Sequence, residues 1–278
     1  MIRTLRVGFS IFRIRAAEGL QYRLAAFSGA TVSIFWSLIE VVVMTVFYKY
    51  GNNTSESING LSLSQSISYI WLAQFMFGII ATNIDGDILG KINSGDVGIE
   101  LCRPLDLYWH WFARMAAGKT SAIVLRGGMV LIFAAALTFF GFGSIGLGMP
   151  HTFINFILYL LSFFSAFIFG IAYNMFITAI RMGISWGDGP INLISMTGQI
   201  LSGAYLPLQL WPDFMQKFLR IQPFASYLDT PARLYVGSVD IQTGLISILF
   251  QFIWIIIFVV LGRIIMKNKI KNVVVQGG

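Results

Sequence analysis

Long apolar stretches separated by short polar segments dominate the pattern of this 278-residue chain. A transmembrane helix needs about 20 consecutive and mainly apolar residues. Six stretches meet that criterion, and they lie near residues 25–48, 67–84, 121–141, 152–180, 191–209 and 243–266. The second is short, and the fifth carries several polar side chains. The pattern therefore predicts an all-α integral membrane protein with six transmembrane helices in a single transmembrane domain, residues 25–278.

The positions of the basic residues predict how these spans are oriented, because cytoplasmic loops are enriched in Lys and Arg. With six spans, both termini share one side with the 2–3 loop and the 4–5 loop. Only four of the 19 Lys and Arg residues fall on the opposite side, namely Lys49, Lys217, Arg220 and Arg233. We therefore expect both termini to be cytoplasmic.

The composition excludes several other classes of protein. The chain is 56% hydrophobic and 11% charged, with a mean hydropathy of +0.76, whereas soluble domains carry about 25% charged residues. The net charge of +7 would fit a nucleic-acid binder, but the basic residues flank apolar runs, so we expect contact with lipid and no nucleic acid. The single Cys102 excludes an intrachain disulfide. His110 and His151 are far apart in the sequence, and no metal site is predicted.

The first 24 residues are predicted to form a helix that lies in the cytoplasmic interface. This segment mixes Arg with Leu, Val, Phe and Ile, which is typical of interfacial helices. A plain positively charged flank is the alternative. The apolar run from Leu24 to Tyr48 is longer than the roughly 7–15 apolar residues of a signal peptide, so we interpret it as a retained first span.

The 2–3 loop, residues 85–119, has the composition of a docking surface for a soluble partner. It is short, contains both charges and is partly apolar, and Val97–Leu101 has room for one or two helical turns before Pro104 ends them. Aromatic residues 108–112 then return the chain to the membrane interface. An ordinary solvated loop is the alternative. The candidate docking residues are Asp85, Asp87, Lys91, Asp96, Glu100, Arg103 and Pro104.

The octapeptide ARMAAGKT, residues 113–120, partly matches the phosphate-binding pattern G-x-x-x-x-G-K-[ST]. Ala113 replaces the first glycine, and Gly118-Lys119-Thr120 leads directly into the third apolar span. A phosphate-binding loop follows a strand and opens a helix in a soluble α/β unit. We therefore interpret the match as accidental, predict no catalytic residue, and expect that this chain does not hydrolyse ATP by itself.

The segment between spans 5 and 6, residues 205–237, is expected to be an extracellular helical hairpin that dips into the membrane. It is too apolar for a solvated loop, and its prolines interrupt it too often for a span. Residues 212–223, PDFMQKFLRIQP, predict a short amphipathic helix that begins after Pro212 and ends before Pro223. Such a hairpin would form a lid at the outer mouth of the protein.

Two stretches together resemble the ABC-2 type permeases. They are SGDVGIELCRPLD, residues 94–106, and SGAYLPLQLWPDFMQKFLRIQPFASYLDTPARLYVG, residues 202–237. The resemblance extends over essentially the whole chain and is greatest to a bacterial branch of six-span half-permeases.

This resemblance implies a subunit of an ATP-driven exporter in the bacterial inner membrane. Two permease chains would pair, more often as a heterodimer with a related chain, and two separate ATPase subunits would bind ATP and Mg²⁺. Residues 1–24 would become the connecting helix, residues 85–119 the coupling element, and residues 205–237 the extracellular cap. The permease itself would bind no cofactor.

A few polar residues within the spans are candidates for the substrate path. Glu40 is the clear acid inside a span, and ionisable groups at membrane depth are costly and frequently functional. Structural hydrogen bonding is the alternative for all of them. The candidates are Glu40, Asn174, Gln199, Ser202 and Tyr205.

Two other function classes stay open. An ATP-independent channel or secondary carrier would also be a multi-span chain, but carriers usually contain internal repeats and several acids near the midplane. A membrane-embedded enzyme would need a cluster of His, Asp, Glu or Cys. The sequence does not identify the cargo.

Overall fold

The computed structural model describes residues 2–19, 21, 23–50, 57–80, 84–102, 104–183 and 189–271. Within these ranges the chain is mainly helical. Its helices are α1 (Ile2–Gly19), α2 (Arg23–Tyr50), α3 (Leu63–Ile80), α4 (Gly86–Ser94), α5 (Val97–Leu101), α6 (Leu107–Ala122), α7 (Gly128–Phe139), α8 (Phe153–Arg181), α9 (Gly189–Leu201), α10 (Asp213–Ile221), α11 (Asp229–Val236) and α12 (Ile241–Ile270). Short 3₁₀ turns lie at Leu208–Leu210 and Pro223–Ser226.

Five helices are long and apolar enough to cross a membrane. They are Leu24–Tyr50, Leu63–Ile80, Leu107–Phe139, Phe153–Arg181 and Ile241–Ile270. Side chains at their starts accept hydrogen bonds from free backbone N–H groups, as when Thr152 accepts from Asn155 N and Asp240 accepts from Thr243 N. The chain is therefore a multi-pass membrane protein. The predicted first, fourth and sixth spans match these helices to within a few residues, while the second begins and ends four or more residues earlier than predicted.

The third span begins much earlier than residue 121, so the prediction that residues 107–119 belong to a loop was wrong. Asp106 accepts a hydrogen bond from Trp109 N and starts α6. The helix continues through a π-helical turn, Ile123–Gly127, into α7 without a break. At about 1.5 Å per residue, the 33 residues from Leu107 to Phe139 form a rod of about 50 Å. The loop between the second and third spans is therefore shorter than predicted.

The fifth predicted span, residues 191–209, is not one continuous helix. Helix α9 ends at Leu201 after 13 residues, where the Ser202 hydroxyl donates to Gln199 O at 2.7 Å. Gly203 then takes a positive φ of 84°, which favours glycine, and Pro207 precedes the 3₁₀ turn. These residues bend the chain away from the helix axis.

The predicted amphipathic helix after Pro212 is present as α10 and ends before Pro223. Leu219 is buried, whereas Phe214 and Phe218 on the same helix are exposed. A two-residue turn at Asn59-Gly60, both with positive φ, joins strands β1 (Ser57–Ile58) and β2 (Leu61–Ser62). Asn-Gly is the usual signal for this turn. Asn59 and Gln209 exchange two hydrogen bonds, which join the hairpin to the chain after α9.

Helices α8 and α12 form the largest helix pair and run parallel. Ser162 donates to the Gln251 side chain at 3.0 Å, and further along both helices Gly262 lies against Phe176. At their carboxyl ends the Lys269 side chain packs over Gly183. Rings from α8, α12 and the Pro223–Ser226 turn interlock around Tyr173, which contacts Phe258 and Phe224 edge to face. This aromatic cluster forms much of the core.

Candidate functional site

Helix α1 packs lengthwise against α6 and so lies beside the 85–106 segment. The Ser121 hydroxyl donates to Ala16 O at 3.2 Å, and Gly19 is so close to Ser121 that a side chain would not fit there without a shift. The expected helix in the first 24 residues is therefore present over Ile2–Gly19. It is attached to the membrane-spanning rod rather than free.

Helices α4 and α5 form a compact block, residues 85–102, at the start of that rod. The Asp85 carboxylate accepts hydrogen bonds from Asp87 N and Ile88 N and starts α4. Gly95, with φ of 80°, ends α4 in the left-handed conformation. Ile88 and Val97 are buried against Trp111 and its neighbours. This segment is consequently folded structure and not an ordinary solvated loop.

Arg114 on α6 holds the amino end of the block by ionic contacts. Its Nε and Nη2 donate to the two Asp85 carboxylate oxygens at 2.9 and 2.8 Å, and its Nη1 lies 2.5 Å from Asp87 Oδ2. Arg15 of α1 lies 3.6 Å from the same Asp87 oxygen. The hydrogen bond from Arg114 and its charge hold the pKa of Asp87 below its ordinary value. The cluster joins α1, α4 and α6.

Glu100 on α5 forms the second attachment. Its carboxylate is 7% exposed and accepts from Lys91 Nζ at 2.5 Å and from Trp111 Nε1 at 2.6 Å. Burial acts to raise the pKa of Glu100, but the hydrogen bonds from Lys91 and Trp111 prevail and hold it below its ordinary value. The carboxylate is therefore ionised at neutral pH and bonds α5 to α4 and α6.

An apolar edge remains on the outside of the block. Ile99 is 64% exposed and Leu101 is 38% exposed, and Cys102 and Pro104 beside them are also exposed. Contiguous apolar patches that are exposed to water mark contact sites. We name this edge, formed by Ile99, Leu101, Cys102 and Pro104, the α5 edge.

The structure describes six of the seven predicted docking residues. Asp85, Asp87, Lys91 and Glu100 bond to one another, to α1 or to α6, so they hold the block together. Asp96 is exposed and accepts from the Ser94 hydroxyl at 2.6 Å. Pro104 lies on the α5 edge, and Arg103 lies outside the described residues. Ile99 and Leu101 were not among the predicted docking residues, because the sequence alone does not show whether an apolar side chain is exposed.

The partial phosphate-binding match lies inside a continuous helix. Residues 113–120 belong to α6, whereas the phosphate-binding motif requires a loop between a strand and a helix. Lys119 is 8% exposed, and its Nζ donates to Ile79 O at 2.7 Å and Gly78 O at 3.3 Å. A cation is favourable at a helix carboxyl end, so Lys119 stabilises the end of α3.

The predicted substrate-path residues lie in three separate places. Glu40 on α2 is half-buried beside Trp36 and Gln74. Asn174 on α8 is buried and lines a cavity of about 190 Å³ together with Arg114 and Lys119. The structure does not bring these two together with the third group, which lies at the end of α9.

That third group consists of Gln199, Ser202 and Tyr205. The Tyr205 hydroxyl donates to the Gln199 side chain at 3.1 Å, and Tyr205 is half-exposed. Ser202 is fully buried and its hydroxyl bonds within its own turn. Gly198 packs under Phe224, so the small residues here serve helix packing inside this chain.

Two polar contacts inside the helical bundle were not anticipated. Arg126 donates to the Ser33 hydroxyl of α2 at 3.0 and 2.7 Å and lies over the Phe77 ring. Tyr69 on α3 donates to Asp229 Oδ1 and Gly203 O, both at 3.2 Å. Around these contacts, the sequence could have indicated only the ion pair between Asp229 and Arg233, because the two residues are four positions apart on one helix. Among the described residues no group of three His, Cys, Asp or Glu is placed to hold a metal ion.

Comparison with known protein families agrees with this architecture. The model of a family described as ABC-2 family transporter protein matches residues 31–277, which include the five long apolar helices except the start of α2. A search of curated proteins gave no match. The family match covers far more than half of the chain, so this chain belongs to the ABC-2 family of transporter proteins.

Proposed function

We propose that this chain is the membrane permease of an ATP-driven exporter and that separate ATPase subunits act on it through the α5 edge. Membership of the ABC-2 family supports association with ATPase subunits and the membrane. The single observation that carries the rest is an exposed apolar edge on a block in which Asp85, Lys91 and Glu100 are bonded within the chain. A soluble partner would bury Ile99 and Leu101.

The architecture favours a mechanical route from that edge to the membrane. Ion pairs fasten the block to α6 and α1, and α6 continues into α7 as one rod of 33 residues. A packed helix transmits displacement along its length because close-packed interiors resist compression. Movement of α5 on ATP binding would therefore tilt the third span and change which side of the membrane the substrate path faces.

We further propose six membrane crossings, with the fifth made by a discontinuous segment. The parallel arrangement of α8 and α12 requires the intervening chain to return across the membrane. Helix α9 and residues 202–210 supply that return, from Gly183 beside Lys269 to Gln209 beside Asn59. Backbone that leaves helical structure at membrane depth must be buried in protein, and Ser202, Gly203 and Ala204 are buried.

The remaining elements take the following roles in this proposal. Residues 205–237 form an extracellular cap, and both termini lie on the cytoplasmic side of a bacterial inner membrane. A second, related permease chain pairs with this one, and two ATPase copies hold ATP and Mg²⁺. Glu40, Gln199 and Tyr205 are the proposed path residues of this chain, because Glu40 and Gln199 are partly buried yet reachable and the exposed Tyr205 bonds to Gln199.

A substitution on the α5 edge tests the proposal. Ile99→Glu places a charge on an exposed position, so the chain should still fold and insert, while ATPase co-purification and ATP-dependent export fall at least tenfold. Gly90→Glu is the matched control, because it adds the same charge at an exposed position of α4 where nothing lies within 4 Å of an added Cβ. Deleting residues 95–104 should likewise abolish transport without removing the chain from the membrane. Unchanged export in Ile99→Glu would reject the α5 edge as the docking site.

An ATP-independent channel or secondary carrier is the competing function. It predicts solute movement by the purified chain in vesicles that contain no ATPase. If the chain is an exporter subunit, such vesicles should show no solute movement until the ATPase subunits and ATP are added.

A further inference from the structure

A cavity of about 480 Å³ opens beside the carboxyl end of α12, where that helix faces the start of α6. One part of its lining is apolar and includes Leu101, Leu107, Ile264 and Ile270. The other part is charged and consists of Arg263, Lys267 and Asp106. Neither Arg114, Glu100 nor any predicted substrate-path residue lines the cavity, and Leu101 is the one residue that it shares with the α5 edge.

The charged part carries an excess of positive charge. Arg263 Nη2 donates to Asp106 Oδ2 at 2.9 Å, and the Arg263 guanidinium also lies over the Trp109 ring at 5.6 Å. Lys267 is exposed and has no hydrogen-bond or ion-pair partner in the part of the chain that the structure describes. One carboxylate therefore faces two cations, which leaves the cavity with one uncompensated positive charge.

The cavity lies at the depth of lipid headgroups. Arg263 is 22 residues beyond Ile241, and at 1.5 Å per residue it is about 33 Å along α12, whereas the hydrocarbon core of a bilayer is about 30 Å thick. Trp109 is 40% exposed, as is usual for aromatic rings at the membrane interface. Just before Arg263 on the same helix, Val260 and Leu261 expose apolar surface.

We propose that this cavity binds a phospholipid with a net negative headgroup. Arg263 and Lys267 would bind the phosphate, and the acyl chains would follow the apolar wall onto the outer surface of α12. Basic pockets between transmembrane helices bind anionic lipids by this combination. A free phosphate ion would leave Leu107, Ile264 and Ile270 in contact with water, which favours a lipid as the source of the phosphate. The proposal requires only that the chain lies in a membrane, so it does not depend on the ATPase or on export.

Native mass spectrometry of the full chain, purified in mild detergent with any attached subunits, tests the site. Phosphatidylglycerol would be titrated against phosphatidylcholine, which has the same chains and no net charge, and against glycerol 3-phosphate, which has no chains. We expect phosphatidylglycerol to bind most tightly. Lys267→Gln should weaken its binding about fivefold, the effect of one basic residue near a lipid surface. Lys271→Gln, the matched control, removes the same charge from the same end of the chain but outside the cavity lining and should have no effect.

Other results would overturn the proposal. Equal losses in Lys267→Gln and Lys271→Gln would mean diffuse attraction to the basic end of α12 without a site. Equal binding of glycerol 3-phosphate would make the occupant a free phosphate ester. If Lys267→Gln leaves lipid binding unchanged but releases a co-purifying subunit, the cavity belongs to a protein interface.

Discussion

The guanidinium of Arg114 donates one hydrogen bond to each carboxylate oxygen of Asp85, at 2.9 and 2.8 Å. The two residues are 29 positions apart in the sequence, and the pair fixes the start of α4 against the middle of α6. Parallel two-point contacts of this kind specify orientation as well as proximity. They fasten the α4–α5 block to the third span.

Arg114→Lys is the sharpest test of this attachment, because Lys keeps the charge but cannot make the forked contact. Charged hydrogen bonds contribute about 1.5–3 kcal/mol each, so the midpoint of thermal unfolding in detergent should fall by several degrees. ATP-driven export should fall further than ATPase binding does. The control is Arg220→Lys, whose exposed side chain makes one 3.3 Å bond to Gln216; an equal effect there would refute the special role of Arg114.

Acid should loosen the α5 attachment before it unfolds the membrane helices. The folded-state pKa of Glu100 is below its ordinary value of 4.5, so its contribution to stability is complete above that pH and is lost as pH falls through the folded-state pKa. The protection of residues 95–102 against hydrogen exchange, taken relative to the intrinsic exchange rate at each pH, should therefore fall in acid below pH 4.5. In Glu100→Gln this protection should be lower at neutral pH and should depend less on pH. An unchanged acid response in that variant would contradict the assignment.

Two adjacent glycines of the third span, Gly127 and Gly128, should differ sharply in their tolerance of a substitution by alanine. An added Cβ at Gly127 would approach Phe75 O to 2.6 Å, whereas at Gly128 the nearest atom is 4.0 Å away. Overpacking of this kind typically costs about 1–3 kcal/mol. Gly127→Ala should lower the thermal midpoint measurably, and Gly128→Ala should leave it equal or raise it. Equal behaviour of the two variants would mean that α3 and the π-helical turn are not in close contact.

The Tyr69 hydroxyl should stabilise the junction between α3, the end of α9 and α11. Tyr69→Phe removes its bonds to Asp229 and Gly203 O and leaves a buried acceptor unpaired, at a cost of about 1–3 kcal/mol. Thermal unfolding and protease sensitivity of residues 202–230 would report the loss. Tyr50→Phe is the control, since Tyr50 is 72% exposed. An equal effect in Tyr50→Phe would mean that the destabilisation does not depend on the bonds of the Tyr69 hydroxyl.

The long apolar helices could be predicted from the sequence because an apolar run of sufficient length has few alternatives in a bilayer. The residues at which these helices begin and end could not be predicted in the same way. Residues 107–119 contain Arg114 and Lys119, which appear too polar for a span, but α6 tolerates both because Asp85 and the Ile79 carbonyl satisfy them from other elements. Contacts between residues so far apart in the sequence produce no local sequence pattern from which they could be predicted.

In the candidate docking segment, the structure shows that several of the charged residues proposed as contact points bond within this chain. Sequence reasoning favoured its charged residues as contact points, whereas Glu100 is buried under Lys91 and Trp111 and Ile99 is exposed. Which side of a five-residue helix faces inward depends on the neighbouring helix. Only the three-dimensional arrangement of α5 and α6 reveals it.

The central claim is that the α5 edge binds an ATPase subunit, and site-specific photo-crosslinking in native membranes tests it most directly. A photoreactive residue would replace Ile99 in one variant and Leu249, an exposed apolar residue of α12, in the other. We predict that position 99 crosslinks to an ATP-binding protein and that position 249 crosslinks to lipid or to another membrane chain. Crosslinking of position 99 to lipid alone, in membranes that still export, would contradict the account.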